Sequence, residues 1–319
     1  MNSGLKSRMR RRKPIYVESL IRTSMDALWD ATQDPKRHSR WDLRFGEIEY
    51  LAKVDGEPQQ FRYATTVIPG FTVAGTGETL GDRDRPDGTR WSGLKFWADD
   101  PRSIIKSGAG YWRYVPTDGG IRFLTRYDYR PRWGPIGEWL DKVAFRPLFG
   151  WGTAWSFDRL RLWLEEGIPP ATSRNTALAH ATATGSLAAI WMYQGLIPKL
   201  IFADEDERIF WLRRGYSNRA AAAVVRVIGV GELAFGGAVA GWSDRKWPFV
   251  ITAASMPLLA AGAFGTERKL FARAFNPATL NIASAGLALV ALATHEGRPS
   301  GRTPLRDMPD RQPDVGDLP

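Results

Sequence analysis

Four long apolar runs, crowded into residues 175–295, limit what this chain can fold into more than any other feature. Asn175–Ala203 is 29 residues with one charge, Lys199. Ala220–Ser243 is 24 residues carrying only Arg226 and Glu232. Trp247–Thr266 is 20 residues with no charge, and Ala274–His295 is 22 with no formal charge. A hydrocarbon core of ~30 Å needs about 20 helical residues to cross it, and all four runs reach that length. They are rich in Ala, Gly, Ser and Thr, which lets membrane helices approach closely. A soluble bundle could bury one such run, but four in succession predict four membrane helices. Trp191, Tyr193, Trp211, Trp242 and Trp247 fall in or near the run ends, where interfacial aromatics are expected.

The averages hide this division. Residues 1–174 hold 29 Lys/Arg and 22 Asp/Glu, residues 175–295 hold 11 and 7, and residues 296–319 hold 4 and 5. The net charge of +10 owes most to Lys6, Arg8, Arg10, Arg11, Arg12 and Lys13. Such a disordered arm suits nucleic acid or anionic lipid, or is a plain tail without function; of the two partners lipid is the nearer beside a bilayer, and no nucleic acid is expected. No apolar stretch of a secretory leader follows the arm. With an even number of spans, that puts both termini in the cytoplasm of a bacterial-type, multi-pass inner-membrane protein. The loop charges discriminate poorly.

The chain has no Cys and three His. That excludes disulfides, thiolate-ligated clusters and CxxC redox pairs, and argues against a His-rich metal centre. No covalent or metal cofactor is expected. Any redox role must use a ligand held non-covalently, such as a quinone or a lipid.

The first 170 residues read as α+β. Ile15–Thr23 alternates as a strand. Ser24 then caps a helix, MDALWDATQD, and Pro35–Trp41 makes a second short helix. Strand-like segments follow at Glu47–Val54, Phe61–Ile68, Thr72–Leu80, Thr89–Trp97, Ser103–Val115 and Ile121–Tyr129. Asp55-Gly56, Asp87-Gly88 and Asp118-Gly119-Gly120 mark turns of an antiparallel meander. A helical stretch from about Gly134 to Glu166 closes the segment. The expected packing is an antiparallel sheet wrapped around the long C-terminal helix. His38, between charged neighbours, is expected on the surface.

The segment VESLIRTSMDALWDATQDPKRHSRWD and the closing PRWGPIGEWLDKVAFRPLFGW…LRLWLEEG make residues 14–167 resemble the SRPBCC superfamily of START-like and polyketide-cyclase-like helix-grip domains. The resemblance implies an apolar cavity between sheet and helix that holds lipids, sterols, polyketides or prenyl quinones. Phe61, Phe96, Trp112, Trp139 and Phe145 are candidates to line it, though each reads equally well as core. Some such domains are enzymes and many only bind and carry. No nucleophile–base constellation selects catalysis here, and the catalytic residues are unknown.

Three motifs in the apolar half, WMYQGLIPKLIF (Trp191–Phe202), GVGELAFGG (Gly229–Gly237) and FNPATLN (Phe275–Asn281), resemble the DoxX-like membrane family. The matched positions are Gln194, Gly195, Pro198, Lys199, Gly229, Glu232, Phe275, Asn276, Pro277 and Asn281. The resemblance implies a four-helix membrane unit over 176–295, with ties in the broader family to quinone-coupled redox chemistry. Asn276 and Pro277 also read simply as an N-cap and first helical residue.

An ionisable group inside a span is a candidate site by default. Glu232 lies about 12 residues into its run, roughly 18 Å deep at 1.5 Å per residue. It is six positions from Arg226 and so on a different helix face. A partner is expected from another helix: Lys199, Gln194 or Asn281. The arrangement is a polar clasp that holds the bundle, a proton or ligand site, or a glutamate that faces lipid or sits out of register. Arg226 can snorkel to the surface.

The domain plan is therefore a basic arm (1–13), a helix-grip domain (14–167), a linker (168–175), a membrane unit (176–295) and an unstructured tail (296–319). The leading expectation for function is binding: the helix-grip domain holds a lipid or quinone and exchanges it with the membrane unit or the bilayer. The alternatives are a quinone-coupled membrane oxidoreductase subunit and a scaffold for a soluble redox partner. Membrane lipid and a hydrophobic small molecule are the expected partners, with a homo-oligomer or a membrane redox protein as protein partners.

Overall fold

The structure is a computed structural model and describes residues 13–309, apart from Pro69, Glu267, Arg273 and Phe275. The basic arm up to Arg12, the motif residue Phe275 and the last ten residues lie outside the described residues. The chain divides into two compact units, residues 1–173 with 299–319, and residues 174–298.

The first unit is a helix-grip fold. Strands β1 (Ile15–Ile21), β2 (Glu47–Tyr50), β3 (Gln60–Ile68), β4 (Phe71–Asp84), β5 (Arg90–Trp97), β6 (Ile105–Thr117) and β7 (Gly120–Pro131) form one antiparallel sheet in the order β1-β7-β6-β5-β4-β3-β2. Two short helices, α1 (Met25–Gln33) and α2 (Pro35–Trp41), lie between β1 and β2. After β7 come α3 (Gly134–Leu140), a wide π turn (Asp141–Phe145) and α4 (Arg146–Glu166).

Local chemistry explains these boundaries. Ser24 Oγ accepts from Ala27 N at 3.2 Å, and Asp34 Oδ1 accepts from Lys36 N and Arg37 N, so each short helix begins on its own cap. The β4–β5 register shifts between Thr79 and Gly81, where Gly81 has φ +92°; this bulge bends the sheet over the helix. Gly120 opens β7 at φ +130°, and a Cβ there would strike the carbonyl oxygen of Ile21. Gly167, at φ 68°, ends α4.

The interior between sheet and α4 is filled with rings. Trp41, Tyr114, Phe123 and Phe157 are fully buried. Phe123 and Phe157 stack with centroids 4.5 Å apart. The buried polar ends are matched: Trp41 Nε1 donates to Ala31 O at 2.9 Å, and Tyr114 Oη lies 2.7 Å from Thr32 Oγ1.

Residues 299–309 differ from the unstructured tail expected over 296–319. Leu305 N donates to Glu18 O at 2.8 Å and Glu18 N donates to Leu305 O at 2.9 Å, so this segment pairs with the free edge of β1. Ser300 N donates to the buried Asp158 carboxylate at 2.7 Å. An edge strand leaves backbone groups to satisfy, a demand that Pro- and Arg-rich composition does not announce. The linker expected at 168–175 is likewise helical from Pro170.

The second unit is all helical: α5 (Pro170–Gln194), a π segment (Gly195–Ile201), α6 (Glu205–Leu212), α7 (Asn218–Gly241), α8 (Trp247–Thr266), a 3-10 turn (Arg268–Ala272) and α9 (Pro277–Ala293). Each of the four apolar runs supplies a helix. By length and composition α7 and α8 can each cross a membrane alone. The first run does so only together with α6, from which it is bent by 81°. Pro198, lacking an N–H, sits in the π segment just before that bend. The fourth run is shortened to 17 helical residues because Asn276 caps α9, accepting from Thr279 N at 3.1 Å.

Ala183, Leu187, Ala188, Val239, Phe249, Ala288 and Ala291 form this unit's core. His180 ties three elements together: Nδ1 lies 3.0 Å from Ala291 O and Nε2 2.9 Å from Ser243 O. Outside, Val227, Leu258 and Ile282 are 72%, 73% and 71% exposed, a surface that suits lipid rather than water. Tyr193, Trp242 and Trp247 are exposed. Trp191 instead turns inward, donating to Thr252 Oγ1 at 3.2 Å.

Candidate functional site

The second unit contains a cleft of about 1030 Å³ whose walls come from every helix of the unit. Ile190 and Trp191 of α5, Ile228 of α7, and Met256 and Leu259 of α8 make it apolar, and Phe210 and Trp211 of α6 cover one side. Its polar groups gather around Lys199. The π segment places this lysine inside the unit, with only 5% of its surface exposed. Nζ is 3.0 Å from Glu207 Oε1 on α6 and 3.0 Å from Glu232 Oε2 on α7, and it donates to Gln194 O at 3.4 Å.

Glycines make this possible. Gly195 and Gly229 meet backbone to backbone; a Cβ on Gly229 would come within 2.8 Å of both Gly195 O and Lys199 Cβ. The close approach brings the lysine within reach of Glu232. Two carboxyl groups thus face one ammonium. Satisfaction is incomplete as well: Glu232 Oε2 is at ion-pair distance from Nζ but outside hydrogen-bond geometry, and the fully buried Ser284 Oγ on the α9 wall has no partner. Buried polar atoms are nearly always bonded. Both residues belong to the lining of the cleft.

Of the intramembrane residues singled out from sequence, Gln194, Lys199, Glu232 and Asn281 all line this cleft. Arg226 is exposed on α7, away from it. Glu207 and Ser284 were not foreseen. Glu207 lies in an acidic stretch between two runs, where nothing in the spacing tells a solvated carboxylate from one folded back on a lysine.

The helix-grip residues are dispersed through a packed interior. Phe61 and Trp112 are buried, and Phe96 and Phe145 pack against the core. Trp139 is 61% exposed and lines nothing in the interior, because the buried positions of α3 and the π turn are Gly137 and Asp141.

His38 is also not where the sequence suggested. It is buried, stacked on Trp41 at 5.0 Å and edge-on to Trp112 at 4.9 Å. Its Nε2 lies 3.0 Å from Asp42 Oδ2, and Arg44 grips the same carboxylate, with Nη2 2.6 Å from Oδ2 and Nε 2.9 Å from Oδ1. Arg44 lies over the Tyr127 ring at 5.4 Å, and Tyr127 Oη is 2.7 Å from Thr153 Oγ1. Burial pushes His38 below its ordinary value, against the pull of Asp42. Burial alone would raise Asp42, but Arg44 and His38 hold its carboxyl well below the usual range. Among the described residues, no three His, Asp or Glu gather as a metal ion would require.

Residues 188–289 match the DoxX-like family. The chain is 44% identical, over 186 residues, to the uncharacterized membrane protein YndG of Bacillus subtilis; the match spans 58% of this chain and 69% of that one. Among solved structures, a hypothetical protein of Helicobacter pylori is similar with a TM-score of 0.39 and 14% identity, over 52% of this chain and 98% of that one. The Zhui aromatase/cyclase of Streptomyces sp. R1128 is similar with a TM-score of 0.34 and 16% identity, over 47% and 96%. A STAR-related lipid transfer protein of Xanthomonas axonopodis is similar with a TM-score of 0.33 and 15% identity, over 42% and 78%. The chain belongs to the family of membrane proteins that includes YndG, and residues 188–289 of its helical unit are DoxX-like.

Proposed function

We propose that this membrane protein binds an amphipathic ligand of the lipid or prenyl quinone class in the cleft of its helical unit and exchanges it with the bilayer. The observation that carries the reading is the pairing of an apolar cleft of about 1030 Å³ with a buried ion cluster on its lining, Lys199 between Glu207 and Glu232, and with the unpartnered Ser284 Oγ elsewhere on the same lining. Pockets for small ligands combine apolar walls with a few placed polar groups. The ring-filled interior of the helix-grip unit offers a poorer berth than the cleft, so its role in this reading is to accompany the binding unit rather than to hold the ligand.

The test is extraction of the purified protein and mass spectrometry of the extract. One lipid or quinone species should be enriched over the bulk membrane. Returned to delipidated protein at about 100 times its Kd, it should stabilise the fold by about 2.7 kcal/mol. No enrichment and no stabilisation would overturn the reading.

One observation favours a second reading, a quinone-coupled oxidoreductase. Glu232 is a carboxyl group inside an apolar helix on the lining of the cleft, a place from which its protonated form can pass a proton to a reduced ring. Glu232→Gln should then abolish quinone-linked turnover even at quinone concentrations that restore full occupancy. We read the protein as residing in the bacterial inner membrane with both termini cytoplasmic, since a basic arm favours that side; a reporter fused to either end that is active only outside the cell would contradict this.

A further inference from the structure

The helix that grips the sheet has two apolar faces at its beginning, and the fold uses only one. Phe145 and Phe149 pack inward against the core. On the outer side Ile136, Trp139, Val143 and Leu148 are 70%, 61%, 51% and 64% exposed. Their spacings of three, four and five fit a helix that widens at the Asp141–Phe145 π turn, so the four share one broad face. Trp133, just before it, is 47% exposed with Nε1 donating to Pro101 O at 3.2 Å. Large apolar side chains clustered in this way on a folded surface mark an interaction site.

The surrounding charges select the partner. Lys142 and Arg130 are exposed at the margins. Of the nearby acids, Asp141 is buried against Tyr129 Oη at 2.5 Å and Arg146 Nε at 3.0 Å, Asp128 is paired with Arg146 Nη1 at 3.0 Å, and Glu138 is exposed. Arg146 also donates from Nη1 to Lys13 O at 3.0 Å. Lys13, which follows Lys6, Arg8, Arg10, Arg11 and Arg12 in sequence, is therefore held at the helix that carries this face. Trp, Ile, Val and Leu edged by Lys and Arg is the mix of a surface that lies in a headgroup layer. A second copy would set like charges against each other, and a chain with membrane-spanning helices always has a bilayer at hand.

We infer that the Ile136–Leu148 face docks on an anionic bilayer surface, with its indole and aliphatic side chains in the boundary between headgroups and acyl chains. The chain has no Cys, so Val143→Cys and, as a control, Asp87→Cys can each carry a single environment-sensitive fluorophore on the full-length protein. The experiment uses nanodiscs holding one protein each, of phosphatidylcholine with or without phosphatidylglycerol. The Val143→Cys label should shift to the blue and lose most of its emission to spin-labelled lipid. Phosphatidylglycerol should deepen the loss and salt should lessen it, while the Asp87→Cys label stays open to aqueous iodide. Ile136→Cys repeats the measurement in case the first variant perturbs the helix. Equal iodide quenching at 143 and 87 would overturn the inference. So would a label at 143 shielded from both quenchers, since the face would then be covered by protein.

Discussion

Each unit buries a basic residue against acid, and the two do so differently. In the helix-grip unit Arg44 and His38 converge on Asp42 inside a shell of rings, and the carboxylate accepts from both. In the helical unit Lys199 lies between Glu207 and Glu232 at the wall of a cleft whose lining also holds the unpartnered Ser284 Oγ. A closed and satisfied network specifies a fold. An open one with excess acceptors is available to a ligand. Removing charge from the first should therefore cost stability, and removing it from the second should cost occupancy.

The largest effect is expected from Asp42→Asn. It leaves the Arg44 guanidinium buried without its counter-charge, a change that costs about 3–5 kcal/mol when a buried pair is broken. Thermal unfolding followed by circular dichroism should show the helix-grip unit melting early, with ligand retained by the helical unit. An unchanged melt would erase the proposed contrast.

Lys199→Met is next. Here the two carboxylates border the cleft and can take up protons, so the stability loss should be clearly smaller than for Asp42→Asn while ligand is lost. Equal destabilisation by both variants would make the Lys199 cluster a clasp like the other.

The pH dependence sharpens the same comparison. Burial lowers His38, so its folded form resists a proton that the unfolded chain accepts below its ordinary value of about 6.5. The stability from neutral His38 is thus complete above that pH and declines as pH falls toward the folded value, by at most about 1.4 kcal/mol per pH unit. His38→Gln should flatten the slope of melting temperature below pH 6.5. A slope identical to that of the unsubstituted chain would contradict the assignment.

The smallest effect concerns the tail. Leu305→Pro removes the N–H that bonds Glu18 O and should cost about 0.5–1.5 kcal/mol, read as faster proteolysis after residue 298.

Much of the fold was legible because its signals are local. The seven strands were visible in alternation and turn residues, Ser24 in its capping position, and α7 and α8 in unbroken apolar length. Gln194, Lys199, Glu232 and Asn281 stood out because polar groups are costly in such runs, and they do line one cleft. The illegible part depends on contacts distant in sequence. His38 sits beside Lys36 and Arg37, and only the fold shows that α2 turns its ring onto Trp112. Trp139 looked like a residue that needed burial, yet the helix buries Gly137 and Asp141 instead. Leu305 belongs to β1 through two backbone bonds that no side chain advertises.

The central claim is that the cleft around Lys199 holds a ligand. Native mass spectrometry of the full chain released from nanodiscs, for the unsubstituted protein and for Lys199→Met, tests it most directly. The account predicts a discrete lipid- or quinone-sized adduct on the first and its loss on the second, with helix content equal in both. An adduct equally abundant on both, or absent from both, would contradict it.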